Sequence, residues 1–237
     1  MSKKGKVQTG REILEALIAS PYPMRINKYL AQQKISTRRG ADELIKNKKV
    51  FINAKLAELG SQVNEGDKVE VRGEEKKEYK YYAYNKPTGV ETDSPKEGLF
   101  PLGRLDKASH GLLILTNDGR ITDSLLNPKY IHEKEYVVRT KEKLRSNFKA
   151  KMEAGVNIEG YQTQKCKVKI LNENTFRVIL TEGKKHQIRR MCSNLFQEVA
   201  DLKRERIMNI TLGKLAPKGI REIKGEELKE FLKLLEN

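Results

Sequence analysis

One segment of the chain holds a carboxylate in a setting that suits catalysis. Residues 99–119 read LFPLGRLDKASHGLLILTNDG, and Asp106 lies there between a turn at Gly103 and an apolar run typical of a buried strand. Arg104 and Lys107 flank it. Positive charges nearby favour an ionised carboxylate, which suits a nucleophile or a base better than a proton donor. The simpler alternative is a turn aspartate that pairs with Arg104.

The residues that cofactor chemistry usually needs are not found together in this sequence. Cys166 and Cys192 are far apart, and neither has a cysteine or histidine at metal-ligand spacing. We therefore expect reduced thiols, no metal site and no disulfide framework. A glycine-rich phosphate loop after a strand is also missing, which argues against an adenosylmethionine-dependent methyltransferase. The expected reaction uses no cofactor.

The charge balance predicts a polyanionic partner. The chain has 48 Lys and Arg against 32 Asp and Glu, a formal net charge of +16. Nine basic and two acidic residues fall in 1–40, and ten basic and four acidic residues fall in 181–221. A lysine-rich surface without a specific partner is the alternative, but clustering of this kind favours contacts with RNA phosphates.

The chain also carries signals for its organisation and location. Residues 1–23 predict a basic arm with a short helical piece over 11–19, and residues 73–78 predict a polar linker. No apolar run approaches the roughly 20 residues of a membrane span, and the amino terminus lacks the apolar core of a signal peptide. We expect a cytoplasmic, monomeric protein.

Residues 24–72 predict a small domain of two helices followed by short strands. Ser36 or Thr37 is the expected N-cap of the second helix. VFIN, a turn at Asn53 and Ala54, and SQVNEGDKVEV predict the strands. The segment resembles the S4-like RNA-binding domain, and this resemblance implies that the basic residues of the second helix contact phosphates. The basic pattern alone would fit a solvent-exposed helix face equally well. The expected contacts are Arg38, Arg39, Lys46, Lys48 and Lys49.

Residues 79–237 predict a larger α+β domain with a mainly antiparallel sheet. Strand-like runs (YKYYAYN, GLLILTN, KEYVV, CKVKIL, TFRVILT, ERIMNITL) alternate there with helical runs (ITDSLLN, KEKLRSNFKAKMEAG, QIRRMCSNLF, GEELKEFLKLL).

The larger domain resembles the pseudouridine synthases of the RsuA, RluB, RluE and RluF family. GRLD followed by GLLILTNDG is similar to the family's signature around its aspartate. NKPTG at 85–89, HEKEYVV at 132–138, EGKKHQIRRM at 182–191 and RIMNITL at 206–212 follow in the family's order. HEKEYVV, RIMNITL and TQKCKVK at 163–169 look most like the RluF branch, which acts on large-subunit (23S) ribosomal RNA.

This resemblance implies roles for particular residues. Asp106 is the expected catalytic aspartate, Tyr136 the active-site tyrosine that stacks on an extruded uracil, and Arg189 the basic partner of the aspartate. Arg104 resembles the arginine that replaces the flipped base in the RNA stack. We expect His186 to be structural or to face phosphate, and not to act as an acid or a base. The further RNA contacts expected around the site are Lys107, Lys185 and Arg190.

Two other functions remain open at the level of sequence. The chain could be a non-catalytic RNA-binding or ribosome-associated protein, although Asp106, Tyr136 and Arg189 are all present. It could also be the same enzyme acting on transfer RNA or small-subunit (16S) ribosomal RNA.

Overall fold

The computed structural model describes residues 22–73 and 78–236. It divides into two units, the first ending at residue 77 and the second beginning at Glu78. The expected arm lies outside the described residues up to position 21, as do positions 74–77 of the expected linker.

The first unit consists of two short helices and small strands. Its second helix begins at Arg38 because the hydroxyl of Thr37 accepts a hydrogen bond from the Gly40 N–H at 2.9 Å. Asn53 and Ala54 have positive φ angles and form the expected turn. The elements are β1 (Met24–Arg25), α1 (Ile26–Gln32), α2 (Arg38–Lys46), β2 (Val50–Ile52), β3 (Lys55–Leu56), β4 (Gln62–Val63) and β5 (Val69–Val71).

Strands β1 and β4 pair with each other, and β2 lies between β3 and β5. Ile26, Leu30, Ala41, Ile45 and Val50 are buried between the helices and the strands. The helical faces opposite this core are polar, as expected for an amphipathic pair.

The second unit is built on one mixed sheet that takes in nine strands of the described residues. The order along the sheet is β12-β13-β9-β14-β8-β6-β16, with β15 added to β14 and β7 to β8. The β8–β14 pair is parallel and the other pairs of this sheet are antiparallel. The expected α+β fold is therefore confirmed.

The strands of this unit are β6 (Tyr81–Lys86), β7 (Phe100–Leu102), β8 (His110–Thr116), β9 (Lys134–Thr140), β10 (Asn157–Ile158), β11 (Tyr161–Gln162), β12 (Lys167–Asn172), β13 (Thr175–Leu180), β14 (Val199–Ile207), β15 (Ile210–Thr211) and β16 (Ile220–Glu222). Its helices are α3 (Thr122–Leu126), α4 (Phe148–Glu153), α5 (Gln187–Asn194) and α6 (Gly225–Leu234), with 3₁₀ turns at Gly119–Ile121 and Pro128–Tyr130.

Two elements differ from the sequence pattern. The helical run over 141–155 forms a helix only at Phe148–Glu153, because Leu144 N–H donates to Glu173 O at 2.7 Å and ties the preceding backbone to the β12–β13 turn. The strand expected over 205–212 begins earlier, at Val199, and is broken after Ile207 by a turn.

The parallel pair depends on one glycine. Gly111 in β8 has a φ of +104°, and a Cβ there would lie 2.3 Å from the Arg204 carbonyl oxygen of β14. Only glycine accommodates both the backbone angle and this approach. Because Asp106 lies just before β8, Gly111 also brings the aspartate segment next to β14.

Candidate active site

Residues 103–109 form the aspartate loop, which is fastened to the segment that follows β6. The hydroxyl of Thr92 donates to Leu105 O at 2.6 Å and accepts from Leu105 N–H at 2.9 Å. Gly89 N–H donates to Lys107 O at 2.8 Å. The residues on both sides of Asp106 are thus held by backbone hydrogen bonds, which fixes the carboxylate in position.

A buried lysine lies beneath this connection. The side chain of Lys86 is fully buried, and its Nζ donates to Pro87 O at 3.0 Å and Val90 O at 2.7 Å. Burial lowers the pKa of Lys86, while the negative charge of Asp106 acts in the opposite direction. Lys86 therefore contributes positive charge to the aspartate's surroundings. Sequence reasoning placed this lysine in the NKPTG motif without giving it a role.

The ion pair at Asp106 is made by His186. Its Nε2 lies 3.2 Å from Asp106 Oδ1, and both side chains are partly exposed. His186 precedes α5 and has a left-handed backbone with a φ of +53°. The expectation that His186 is structural or faces phosphate did not include this contact with Asp106, which places the imidazole directly beside the carboxylate.

Arg189 is turned toward the backbone of the aspartate loop. Its Nη2 donates to Ala108 O at 2.9 Å and to Ser109 Oγ at 3.3 Å, and its Nη1 donates to Val199 O at 3.3 Å. The family resemblance predicts that Arg189 pairs directly with Asp106. Instead, it donates hydrogen bonds to the loop that carries Asp106.

Tyr136 lies on β9 at the centre of the sheet. Its neighbours across the strands are Val178 of β13 and Arg204 of β14. The half-buried ring packs against the apolar cluster that contains Leu105 and Leu113. Tyr136 thus packs against the same apolar cluster as Leu105, the residue that precedes Asp106.

Two further cations lie beside Tyr136. Arg204 is 3% exposed; its Nε donates to Leu112 O at 2.7 Å and its Nη1 to Arg104 O at 3.3 Å. Its Nη2 is buried and has no partner among the described residues. Burial, together with the charge of Arg204, lowers the pKa of Lys134 to about 8. In the sequence, Lys134 begins KEYVV and Arg204 lies two residues before RIMNITL, so each adjoins a motif of the family resemblance.

The other expected RNA contacts differ in accessibility. Arg104, Lys107 and Lys185 are exposed around the site, whereas Arg190 pairs with Glu159. On the first unit, Lys49 is half-buried and donates to Gly73 O. The other expected contacts of that unit, Arg38, Arg39, Lys46 and Lys48, are exposed.

The described residues contain neither a metal-binding cluster nor a membrane-spanning helix. Their histidine, cysteine and carboxylate side chains do not gather into a group that could hold a metal ion. The helices within residues 22–73 and 78–236 are too short or too polar to span a lipid bilayer.

Known proteins resemble this chain in sequence and in fold. The dual-specificity RNA pseudouridine synthase RluF of Escherichia coli (strain K12) is 39% identical over 90% of this chain and 80% of its own length. The ribosomal large subunit pseudouridine synthase B of Bacillus subtilis (strain 168) is 34% identical, covering 90% of this chain and 97% of its own length. A crystal structure of a pseudouridylate synthase matches with a TM-score of 0.66 at 28% identity, over 89% of this chain and 99% of that one.

Two family models match the chain. An S4 domain model matches residues 24–69, which confirms the expected S4-like unit, and a model described as RNA pseudouridylate synthase matches residues 75–194. The second match contains the aspartate loop, Tyr136, His186 and Arg189. The chain therefore belongs to the RNA pseudouridine synthase family and is an isomerase with an amino-terminal S4 domain.

Proposed function

We propose that this enzyme converts a uridine of large-subunit (23S) ribosomal RNA into pseudouridine with Asp106 as its catalytic carboxylate. The observation that carries the proposal is the rigid placement of Asp106, held at Leu105 and Lys107 and paired with His186. The ribosomal target is supported by the name of the Bacillus relative, a large-subunit enzyme.

The reaction is an isomerisation in which atoms and electrons balance without a co-reactant. The bond between the sugar and nitrogen one of uracil breaks, and a bond between the same sugar carbon and carbon five of uracil forms. The proton lost from carbon five is balanced by one gained at nitrogen one. No water is consumed and no redox change occurs, so the chemistry is assigned to protein side chains alone.

Asp106 acts on the sugar in this proposal. It either attacks the anomeric carbon or removes a proton from the adjacent sugar carbon, and both routes need an ionised oxygen held at a fixed point. His186 Nε2, 3.2 Å from Asp106 Oδ1, helps to orient that oxygen, and buried Lys86 contributes positive charge to its surroundings.

Tyr136 is the residue proposed to contact the freed uracil base. Its ring provides a stacking surface for uracil, and its hydroxyl is the group assigned to assist proton removal from carbon five. Arg204 and Lys134, neighbours of Tyr136 in the sheet, offer positive charge to the oxygens of the extruded nucleotide.

The target nucleotide must leave its stack to reach this site, which costs a few kcal/mol and favours loops and weakly paired positions. Exposed Arg104 is the side chain proposed to fill the vacated space. The S4 domain adds affinity through the exposed basic residues of α2, including Arg38 and Arg39.

The test is a map of pseudouridines in RNA from a strain that lacks this protein, before and after incubation with the purified enzyme. Carbodiimide treatment and primer extension should show one new stop in large-subunit RNA. New stops only in small-subunit or transfer RNA would overturn the proposed target. The absence of any new stop would overturn catalysis and favour a non-catalytic RNA-binding protein.

A further inference from the structure

Phe196 occupies an unusual position after helix α5. The helix ends at Asn194 and is capped by Leu195, and Phe196 follows with a φ of +59° and 73% of its surface exposed. The left-handed position after a helix favours glycine, and a bulky side chain there is strained. An exposed ring at such a position contributes little to the core, so its placement calls for another role.

A cleft of about 540 Å³ opens beside this ring. Gln197 lines it and is 3% exposed, and its side-chain oxygen has no hydrogen-bond donor among the described residues. Glu142 and Glu198 also line the cleft. Glu198 is paired with Lys141. The buried Gln197 oxygen and the Glu142 carboxylate remain as acceptors, so the cleft suits a ligand that brings N–H donors.

The Phe196 ring is held in place by a neighbouring arginine. The Arg145 guanidinium lies 4.8 Å from the centroid of the Phe196 ring, a cation–π contact that orients the aromatic plane. An exposed aromatic ring next to a basic side chain is a common platform for a nucleobase, because every base has a face that stacks.

Arg189 links the wall of the cleft to the aspartate loop. This arginine forms part of the cleft wall and also donates to Ala108 O in the aspartate loop. A ligand in the cleft therefore lies on the other side of the residue that supports the loop of Asp106. The position suits a nucleotide that neighbours the reacting uridine.

We propose that this cleft binds a second nucleobase of the substrate RNA, one that carries an exocyclic amino group. The base stacks on Phe196 and donates its amino hydrogens to the Gln197 oxygen and to Glu142. Adenine, cytosine and guanine have such a group, whereas uracil has only its N3–H, flanked by two carbonyls that the acceptors would repel. The carboxylates repel phosphate, so a base enters the cleft and the backbone stays outside. This inference rests on the proposed function because the ligand is a nucleotide of that RNA.

A single fluorophore tests the contact directly. The chain has no tryptophan, so Phe196→Trp in the full chain places one indole at the cleft. Titration with eight-nucleotide oligomers of adenosine, cytidine or uridine should quench this fluorescence. Adenosine and cytidine oligomers should act at concentrations at least about fivefold lower than uridine oligomers, the factor that corresponds to about 1 kcal/mol.

Ile131→Trp is the matched control. Ile131 is 63% exposed and also has a left-handed backbone, with a φ of +55°, but it is not part of the cleft. Its fluorescence should show no dependence on the type of base. Equal quenching of Phe196→Trp by all three oligomers would overturn the amino-group preference, and no quenching would overturn the site.

Phe196→Gly separates stability from binding. Glycine relieves the left-handed backbone, so the unfolding midpoint should stay the same or rise, while the Kd for the RNA fragment that contains the modified uridine should increase at least about fivefold. Unchanged affinity would overturn the inference. The wild-type enzyme is assayed in parallel for pseudouridine formation: its inactivity would reject the proposed function, whereas the oligomer titration would still report on the cleft.

Discussion

The hydroxyl group of Thr92 forms two hydrogen bonds with the backbone of Leu105, one residue before Asp106. It donates to the carbonyl and accepts from the N–H, as a neighbouring strand would. The position of the proposed catalytic carboxylate thus depends on a side chain outside the aspartate loop.

Thr92→Val should lower kcat about ten- to a hundredfold with little change in KM, because a small displacement of a reacting group is costly once substrate is bound. Thr92→Ser keeps the hydroxyl and should stay near the wild-type rate. Single-turnover kinetics on an RNA stem-loop would measure both, and equal rates for the valine and serine variants would remove this positioning role.

Asp106→Asn should abolish pseudouridine formation while leaving RNA affinity and folding nearly intact. The amide keeps the shape of the side chain and loses the negative charge that both catalytic routes require. Carbodiimide mapping measures the activity and filter binding measures the affinity. Residual activity above about a tenth of the wild-type rate would contradict the assignment.

Tyr136→Phe should slow the reaction on the order of a hundredfold and leave RNA affinity nearly unchanged, because only the hydroxyl is lost. Tyr136→Leu should be worse in both respects, since stacking worth roughly 1–3 kcal/mol is lost as well. Rates come from single-turnover assays and affinities from filter binding. A phenylalanine variant that reacts at the wild-type rate would leave the tyrosine as a platform only.

The double variant Arg38→Gln, Arg39→Gln should weaken RNA binding and flatten its salt dependence by about one unit of slope per lost phosphate contact. The control is Lys55→Gln, Lys68→Gln, which removes the same charge from the same unit; Lys68 pairs there with Glu70 at 2.8 Å. Filter binding between low and moderate salt measures the slopes. Identical slopes for the two double variants would show that α2 is not an RNA anchor.

Lys134→Met should raise the free energy of unfolding at pH 7. The folded-state pKa of Lys134 is lowered to about 8 from its ordinary value of 10.5. Its burial therefore opposes folding fully below pH 8, and this penalty disappears as the pH rises toward the ordinary value. The stabilisation should be at most about 3 kcal/mol and should shrink between pH 8 and 10.

Chemical unfolding of both proteins across this pH range measures the effect on stability. The variant should also bind RNA more weakly at pH 7, because it lacks one of the two cations beside Tyr136. Parallel stability curves for the two proteins would contradict the role given to Lys134.

The sequence was sufficient to predict the parts of the molecule that depend on local signals. The N-cap at Thr37, the turn at Asn53 and Ala54, and the buried strand after Asp106 all follow from residues close together in the chain. The aspartate itself was found because its flanking motif is long and specific.

Contacts between distant segments could not be read in this way. His186 and Arg189 lie within one helical turn of each other, and the left-handed backbone of His186 accompanies its approach to Asp106. The two bonds from Thr92 to Leu105 join segments 13 residues apart. Lys86 reads as a surface residue by type, but the folded chain buries it completely.

The parallel pairing of β8 with β14, made possible by Gly111, joins segments about ninety residues apart. Such a pairing is expected to form late, because closing the long loop between the two strands costs chain entropy before their contact can stabilise the fold. Asp106 lies just before β8 and Arg204 lies on β14, so the site is complete only when this register is made. A partly folded chain with the hairpin of β12 and β13 already in place would have no active site. During heat inactivation, loss of catalysis should therefore coincide with loss of the whole sheet rather than precede it.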